Sequence, residues 1–396
     1  MFKKIDLKFL VPLFIIILAS LLAGCQGAVG PTGPAGPPGS PGPTGETGPQ
    51  GPPGTVPAPT TWDPLIPEYT TWIDLTYTDI PTNHNRPLWA DVINIDQQTH
   101  RLYMSDATSG GVDIFDISTT QPKFIQTIMT GQGWLSGGMT WGLVLAKDIN
   151  RLFVGCSDST VAVIDVDPAS PTYYQIIARP YTGGTYQVDE MDYDPVNHKV
   201  YCANPGDGFV SVIDANTNQI IKQFTDLPHD LEAFCYNPAD KMMYLNSPDD
   251  NTLLQFDPAK DELVNTFQIS DPVEAHGLSI NPKTNIGILG SSTADPQHLV
   301  IWDFNKQKIS KFIYQVGACE LTWYDPVVDC FFAACNNFHR GPVMAILNGE
   351  DGSFITYVPT PIWAHEACYD ETNGMVYTTD ESGGPGALVS FTWPIK

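Results

Sequence analysis

The sequence predicts an all-β fold, a β-propeller with seven blades. A motif of three short strands returns seven times between about residue 90 and the C-terminus. The anchor residue of the second strand recurs at spacings of 50, 48, 43, 44, 44 and 45 residues. Turn dipeptides such as Asp194-Pro195 and Asn237-Pro238 separate the strands. Short strands and turns that repeat every roughly 40 to 50 residues are typical of propeller blades.

Each copy has one anchor on its second strand and usually an Asp or Asn at the end of its third. The anchors are Tyr103, Phe153, Tyr201, Tyr244, Ile288, Phe332 and Tyr377. The predicted third strands are residues 112–116, 161–165, 210–214, 253–257, 299–303, 343–348 and 387–391. No fourth strand follows the last of these, whereas a strand-like run, residues 71–80, precedes blade one. We therefore expect residues 71–80 to pair into blade seven and close the ring, because pairing removes an open sheet edge.

Blade three resembles a known repeat. Its segments VYCAN (residues 200–204), VSVID (210–214) and TNQII (217–221) resemble the YVTN-type β-propeller repeat. The resemblance extends over roughly residues 70–396 and is strongest in blade three. For fold it implies a propeller. For function it implies only a range, because relatives of this architecture include binding scaffolds, lyases, lactonases and metalloenzymes.

The first 24 residues resemble a bacterial lipoprotein signal peptide. Three lysines precede an apolar run, residues 9–22, and the sequence LAGC follows at residues 22–25. The resemblance implies that Cys25 is lipidated and anchors the mature protein to the membrane. In a Gram-negative host, the resemblance to these signals implies that Gln26 in place of Asp favours the outer membrane or cell surface. An ordinary secretory signal and an uncleaved anchor are the alternatives, although about 14 apolar residues are short for a membrane span.

Residues 25–56 hold the lipidated cysteine and a collagen-like segment. Glycine occupies every third position from Gly27 to Gly54, which gives ten uninterrupted Gly-X-Y triplets rich in proline. Only glycine fits the crowded axis of a collagen triple helix, so the pattern predicts a homotrimeric stalk of about 90 Å at roughly 3 Å per residue. A single extended Pro/Gly linker is the alternative. Residues 57–69 are predicted to link this stalk to a propeller at residues 70–396.

The chain is strongly acidic. It has 44 Asp and Glu against 19 Lys and Arg, and without residues 1–24 its net charge is −27. This charge argues against nucleic acid as a partner and favours cations and solubility. Seven cysteines follow Cys25 without a C-x-x-C motif. Buried thiols are the expected state for most of them, and the odd number leaves at least one unpaired unless it binds a metal or a partner chain.

One matched position of the repeat carries a polar side chain in six of the seven blades. Counting back five residues from the Asp or Asn that ends each first strand gives Asp91, Asp189, Glu232, His276, Glu320 and His365. Blade two offers Trp141 or Gly142 instead. Because the first strand of a blade is innermost, we expect these six side chains to meet at one mouth of the central channel.

Two imidazoles and four carboxylates suit a divalent cation. Carboxylate oxygens prefer calcium, magnesium or manganese, and imidazole shifts the preference towards manganese, zinc or copper. We therefore predict the six ring residues as ligands of calcium, manganese, zinc or copper, supported by Glu190, Glu274 and Glu366. A hydrated channel without a ligand is the simplest alternative. In a third reading the ion activates water and a nearby His or Glu acts as the base of an enzyme.

Histidines and tryptophans gather on the same predicted face. The turns that enter the first strands and those that join the second and third strands share one side of the disc, and six of the eight histidines belong there. The predicted ligand-binding residues are His84, His229, His339, Trp89, Trp141 and Trp363. Tryptophan would stack on a sugar or an aromatic ligand. Packing between blades is the alternative for these tryptophans.

Together these features predict a lipid-anchored surface protein whose propeller is a binding module for an ion, a glycan or an extracellular protein. The competing hypothesis is a metal-dependent, lactonase-like lyase or hydrolase with its site at the channel mouth. The sequence has no phosphate-binding loop, no G-x-S-x-G, no H-E-x-x-H and no dinucleotide fingerprint. Nucleotide-driven and serine-hydrolase chemistry therefore lack support.

Overall fold

The computed structural model describes residues 65–394, apart from 82–86, 132, 134–136, 271–272, 292–294 and 383–385. Cys25, the collagen-like segment, most of the linker and His84 lie outside the described residues. Short 3-10 turns occur at Pro67–Tyr69, Lys147–Ile149 and Pro205–Asp207, and the described residues contain no α-helix. Over the same part of the chain, no helix has the length and apolar character that would let it cross a membrane.

Seven four-stranded antiparallel sheets form the blades. The first strand of the described residues, β1 (Thr76–Asp79), belongs to the last blade. Blade one holds β2 (Ala90–Asp96), β3 (Arg101–Asp106), β4 (Gly111–Asp116) and β5 (Lys123–Met129). Blade two holds β6 (Thr140–Ala146), β7 (Arg151–Cys156), β8 (Val161–Asp165) and β9 (Ile176–Ala178). Blade three holds β10 (Met191–Asp194), β11 (Lys199–Asn204), β12 (Phe209–Asp214) and β13 (Gln219–Phe224).

The remaining blades follow the same plan. Blade four holds β14 (Phe234–Asn237), β15 (Met242–Ser247), β16 (Thr252–Asp257) and β17 (Glu262–Gln268). Blade five holds β18 (Ala275–Asn281), β19 (Ile286–Ser291), β20 (Leu299–Asp303) and β21 (Lys308–Ile313). Blade six holds β22 (Thr322–Asp325), β23 (Cys330–Cys335), β24 (Val343–Asn348) and β25 (Phe354–Pro359). Blade seven holds β26 (Cys368–Asp370), β27 (Met375–Asp380), β28 (Ala387–Thr392) and β1.

The first strands of the blades form a closed inner ring. Each contacts the first strands of the two neighbouring blades, in the order β2, β6, β10, β14, β18, β22, β26 and back to β2. The seven anchors all lie on second strands, from Tyr103 on β3 to Tyr377 on β27. The predicted seven-bladed propeller is therefore confirmed.

The repeated Asp or Asn of the motif is a turn-forming residue. At the end of the first strand its side-chain oxygen accepts a hydrogen bond from the N–H two residues later. These bonds, 2.8–3.0 Å long, are made by Asp96, Asp194, Asn237, Asn281, Asp325 and Asp370. At the end of the third strand Asp116, Asp165, Asp214, Asp257 and Asn348 make the same contact. Such turns fix where one strand stops and the next begins.

Hydrophobic residues fill the spaces between neighbouring blades. Over the described residues they form seven clusters, one at each blade junction. The second and third strands are almost wholly buried because a neighbouring blade covers each of their faces, whereas the outer strand β17 is largely exposed. The seven described cysteines carry free thiols, and six of them are buried.

The ring closes as the sequence predicts, but through a shorter strand. Strand β1 pairs with β28 from Thr76↔Ser390 to Asp79↔Ala387 and so becomes the outer strand of blade seven. The preceding residues of the predicted run do not pair there. The Thr71 N–H donates instead to the Tyr357 carbonyl on β25, at 2.9 Å. The chain thus crosses from the edge of blade six to that of blade seven, and only the residues beyond the crossing reach β28.

Candidate functional site

The six ring positions lie at one mouth of the channel, at or just before the first strands. Asp91 is on β2 and His276 on β18, while the other four precede their strands by two or three residues. Backbone pairing continues past those strand ends. The N–H groups of Asp189, Glu232 and Glu320 donate to the second strand of their own blade at 3.0, 3.0 and 3.1 Å. Backbone hydrogen bonds therefore hold these three positions against the second strand, although they lie outside the first strands.

Blade two contributes tryptophan and glycine to the ring. The pairs Ala90↔Asp106 and Thr140↔Cys156 both precede a bulge, so Trp141 corresponds to Asp91. Gly142 is required next, because a Cβ there would lie 2.5 Å from the Asp189 carbonyl oxygen. Gly277, which follows His276, has the same role, with a Cβ 2.3 Å from the Glu320 carbonyl oxygen. Glycine at these positions lets neighbouring blades approach closely at the mouth.

His365, Glu366 and Glu381 form the most buried cluster, which we call the His365 cluster. Their side chains are 12%, 0% and 6% exposed. His365 Nδ1 lies 2.9 Å from the Trp363 carbonyl oxygen, which can only accept, so Nδ1 carries a hydrogen. His365 Nε2 then faces Glu366 Oε1 at 3.4 Å. That oxygen is buried and accepts no hydrogen bond.

One hydroxyl group is shared by the two carboxylates of the His365 cluster. Thr379 Oγ1 lies within hydrogen-bond distance of Glu366 Oε2 and 2.9 Å from Glu381 Oε1. A hydroxyl has a single hydrogen and can satisfy only one of them. Burial opposes the charged imidazole, but Glu366, Glu381 and Glu320 together raise the pKa of His365 to about 10. The cluster therefore holds a proton on His365 unless another cation replaces it.

Asp91, Asp189 and Glu190 form a second cluster, the Asp91 cluster, which offers only oxygen atoms. One oxygen from each lies within 4.8 Å of the others. Asp91 Oδ2 is buried without a hydrogen-bond partner. Burial, reinforced by the charges of Asp189 and Glu190, raises the pKa of Asp91 well above its usual range. Burial also raises the pKa of Asp189 to about 6. Among the described residues, the positive groups near Asp91 and Asp189 do not offset the burial of these carboxylates.

His276 bridges the other ring carboxylates. Its Nδ1 lies 3.6 Å from Glu232 Oε2 and 3.7 Å from Glu320 Oε1. Burial alone would raise the pKa of Glu320, but the imidazoles of His276 and His365 lower it to about 2. Burial, with the charges of Asp189 and Glu190, raises the pKa of Glu232. Electrostatic coupling thus joins all six ring residues at the mouth.

A cavity of about 480 Å³ opens beside the His365 cluster. It is lined by Pro87, Leu88, Trp89, Thr108, Glu320, Asn336, Trp363, His365 and Glu381. Trp141 is not among the residues that line the cavity. Its ring packs edge to face against that of Trp89, with centroids 5.6 Å apart. Its Nε1–H donates to Ser157 Oγ at 2.9 Å. Two predicted ligand-binding tryptophans therefore face the cavity, and the third supports one of them.

Three other predicted residues lie away from this cavity. His229 follows β13 and is exposed. It lies beside Gly208, which is in the turn between β11 and β12. His339 Nδ1 lies 2.7 Å from Gln297 Oε1 and so ties two loops together. Glu274 is exposed, whereas its predicted companions Glu190 and Glu366 belong to the clusters. Of the described histidines on this face, His365 lines the cavity, whereas His229 and His339 do not.

Sequence reasoning missed Glu381, Thr379 and Asn336. Glu381 comes directly after β27, in the turn that joins the second and third strands of blade seven. Asn336 has the same place after β23 in blade six. Because such turns lie on the face of the ring, acids and amides in them were detectable from the repeat.

No protein-family model matches this chain, and no curated protein matches it significantly. The resemblance to the YVTN-type repeat is therefore limited to the short sequence motif. The class that the fold and the site define is a seven-bladed β-propeller with an acidic, histidine-containing channel mouth.

Proposed function

We propose that the channel mouth binds a divalent cation and that the propeller is a binding module of the cell surface. One observation carries the cation site: His365 Nε2 lies 3.4 Å from a buried Glu366 oxygen that has no hydrogen-bond partner. Two ligands of one metal lie roughly 3.0 to 3.5 Å apart when each metal–ligand bond is about 2.0 to 2.2 Å. Glu381 adds a further carboxylate: its Oε1 lies 3.5 Å from His365 Nδ1, and the three residues offer ligand atoms within 4.8 Å of one another.

The tautomer of His365 supports ligation. Its Nδ1–H donates to the Trp363 carbonyl, which fixes the ring and leaves Nε2 directed at Glu366. A hydrogen bond from one ring nitrogen to a backbone carbonyl is the usual support of a metal-binding histidine. Uptake of a cation would displace the proton that His365 otherwise holds, since only neutral imidazole is a ligand.

The charge balance of the mouth also favours a cation. Seven carboxyl groups and two imidazoles meet there among the described residues. The ion pairs that lysine and arginine make in the described part of the chain all join carboxylates elsewhere. Buried carboxylates without positive neighbours take up protons or bind a metal.

The two clusters differ in ligand chemistry. The His365 cluster combines one imidazole with two carboxylates, which suits manganese, zinc or copper. The Asp91 cluster offers oxygen alone, which suits calcium or manganese. Manganese is the one ion that fits both sets. Placement at the cell surface follows from the lipoprotein-like signal and the Gly-X-Y segment of the sequence.

A second function, a metal-dependent lyase or hydrolase, is favoured by one observation. The 480 Å³ cavity opens onto His365 and Glu381, so a small substrate there would lie beside the cation. A bound ion would polarise a carbonyl or activate water. The carboxyl group of Glu320 or Glu381 would then accept the proton of that water or donate one to the leaving group. Turnover of lactones by the metal-loaded protein, lost on chelation, would establish this function.

Metal analysis tests the cation site. The mature protein is dialysed against calcium, manganese, zinc or copper and its metal content measured, with affinities from calorimetry. We expect Glu366→Gln to lower the affinity of the His365 cluster at least tenfold. Glu350→Gln, in an exposed turn, is the matched control. Equal metal binding by Glu366→Gln and Glu350→Gln, or no metal in the parent protein, would refute the proposal.

A further inference from the structure

Two tryptophans, Trp89 and Trp363, line the 480 Å³ cavity. Trp89 and Trp363 are 38% and 51% exposed, although both are large apolar side chains. Indole rings left open to solvent inside a concave site are typical of ligand recognition, because stacking on a ligand removes that surface from water.

The backbone holds Trp363 in an unfavourable conformation. Its φ is +65°, in the left-handed region that bulky residues rarely adopt. This conformation turns the Trp363 carbonyl towards His365 Nδ1, at 2.9 Å. Strain of this kind persists where the surrounding structure enforces it and is concentrated at binding sites.

The backbone and the ring of Trp89 both make contacts with neighbouring residues. Its carbonyl accepts the Ala107 N–H at 2.8 Å, which ties it to the turn between β3 and β4. Trp141 packs its ring edge to face against Trp89, and Ser157 holds Trp141 in turn. An aromatic platform that does not move on binding loses little conformational entropy.

The floor of the cavity is polar and offers hydrogen-bond acceptors. Glu320 and Glu381 supply carboxylate oxygens, and His365 lies beside them with its two ring nitrogens directed at the Trp363 carbonyl and at Glu366. Asn336 Nδ2 donates to Glu320 Oε2 at 3.4 Å, whereas Asn336 Oδ1 accepts no hydrogen bond. Asn336 is only 7% exposed, so it positions Glu320 from a buried place beside the cavity.

We propose that this cavity binds one or two rings of a neutral carbohydrate, stacked on Trp89 and Trp363. Sugar hydroxyls are good donors, so a single ring can donate hydrogen bonds to the carboxyl groups of Glu320 and Glu381 while its apolar face covers indole. An anionic ligand would be repelled by Glu320. An organic cation would match the carboxylates but would face the positive charge that His365 holds as a proton or shares with a bound metal ion. The cavity volume lies in the range of small-ligand sites, about 300 to 1,000 Å³.

The carbohydrate site is separable from the cation site, although both touch His365 and Glu381. The side chains of Trp89 and Trp363 line the cavity, and the Trp363 carbonyl that holds His365 is kept in Trp363→Leu, whereas Glu366 belongs to the His365 cluster and is not among the lining residues. Variants of the tryptophans and of Glu366 therefore report on one site each.

Calorimetry on the mature protein tests the proposal, with methyl β-glucoside, methyl α-mannoside, N-acetylglucosamine and lactose as probes. Tetramethylammonium and glucuronate serve as the cationic and anionic comparisons. We expect at least one neutral sugar to bind and Trp89→Leu and Trp363→Leu each to weaken it at least tenfold. Trp72→Leu, at an exposed position outside the cavity, should leave it unchanged.

Metal content separates this result from the cation proposal. Both tryptophan variants should retain parental metal content, and Glu366→Gln should retain sugar affinity. Binding of tetramethylammonium alone, no binding of any neutral sugar, or equal sugar affinity in the Trp89→Leu, Trp363→Leu and Trp72→Leu proteins would overturn the carbohydrate site.

Discussion

Asp113 on β4 gives a sharp prediction about stability and pH. Its side chain is completely buried, and Oδ1 accepts a hydrogen bond from the Thr127 hydroxyl while Oδ2 has no partner. The carboxyl group of Asp106 is also buried, and its Oδ2 is likewise unpartnered. Burial, reinforced by the charge of Asp106, raises the pKa of Asp113 to about 8. The pair therefore retains a proton in the folded protein at neutral pH.

The sign of the effect follows from that proton. The unfolded chain releases it near the ordinary Asp value of 3.8, whereas the folded protein keeps it up to about pH 8. The contribution of Asp113 to the free energy of unfolding is therefore greatest at acidic pH. It falls as pH rises from the unfolded pKa to the folded pKa of this group. The slope is at most about 1.4 kcal/mol per pH unit, so the loss between pH 5 and pH 7 is about 2 to 3 kcal/mol.

Asp113→Asn removes this dependence, because the amide has nearly the same shape and cannot ionise. The assay is urea unfolding at pH 5, 6, 7 and 8. We expect the stability of the variant relative to the parent to increase by about 2 to 3 kcal/mol from pH 5 to pH 7. The control is Asp116→Asn on the same strand, where hydrogen bonds from Ser118 and the charge of Arg101 outweigh partial burial and lower the pKa. Asp116 is ionised in the folded and the unfolded protein above pH 5, so the stability difference between Asp116→Asn and the parent should stay constant from pH 5 to pH 8. A difference between Asp113→Asn and the parent that does not change with pH would refute the reasoning.

Two further predictions concern the mouth and the stalk. Gly142→Ala should destabilise the protein by about 1 to 3 kcal/mol and weaken metal binding, because its Cβ would lie 2.5 Å from the Asp189 carbonyl oxygen. Gly290→Ala, with its nearest contacts at 3.2 Å, should cost less, and equal unfolding midpoints for the two variants would contradict this account. Sedimentation of the protein with and without residues 27–56 should show a trimer that becomes a monomer, and a monomer in both would exclude the triple helix.

Much of the fold was predictable because its local chemistry repeats. Each Asp or Asn that ends a first or third strand closes a turn with its own side chain, so the residue that marks the repeat also builds it. The ring positions followed from the same register. Blade two was ambiguous between Trp141 and Gly142, because the bulge after Thr140 is a property of the paired strands.

The site was predictable only in outline. Sequence position placed His365 and its neighbour Glu366 at the ring, but Glu381 comes from the turn after β27 and joins them only in the folded blade. Trp89 and Trp363 are far apart in sequence and line one cavity because blades one and seven are neighbours in the closed ring. Likewise, nothing in the spacing of Asp106 and Asp113 distinguishes them from the many exposed acids that close turns.

The sequence by itself determined the number of blades, the strand order within them and the side of the disc on which the polar residues gather. These features depend on contacts between residues close in the chain, and each is repeated seven times. Only the tertiary structure decided which carboxylates lose their hydrogen-bond partners, which imidazole nitrogen is free and which tryptophans face a common cavity. Those properties depend on distances of a few ångströms between different blades, and burial determines their energies.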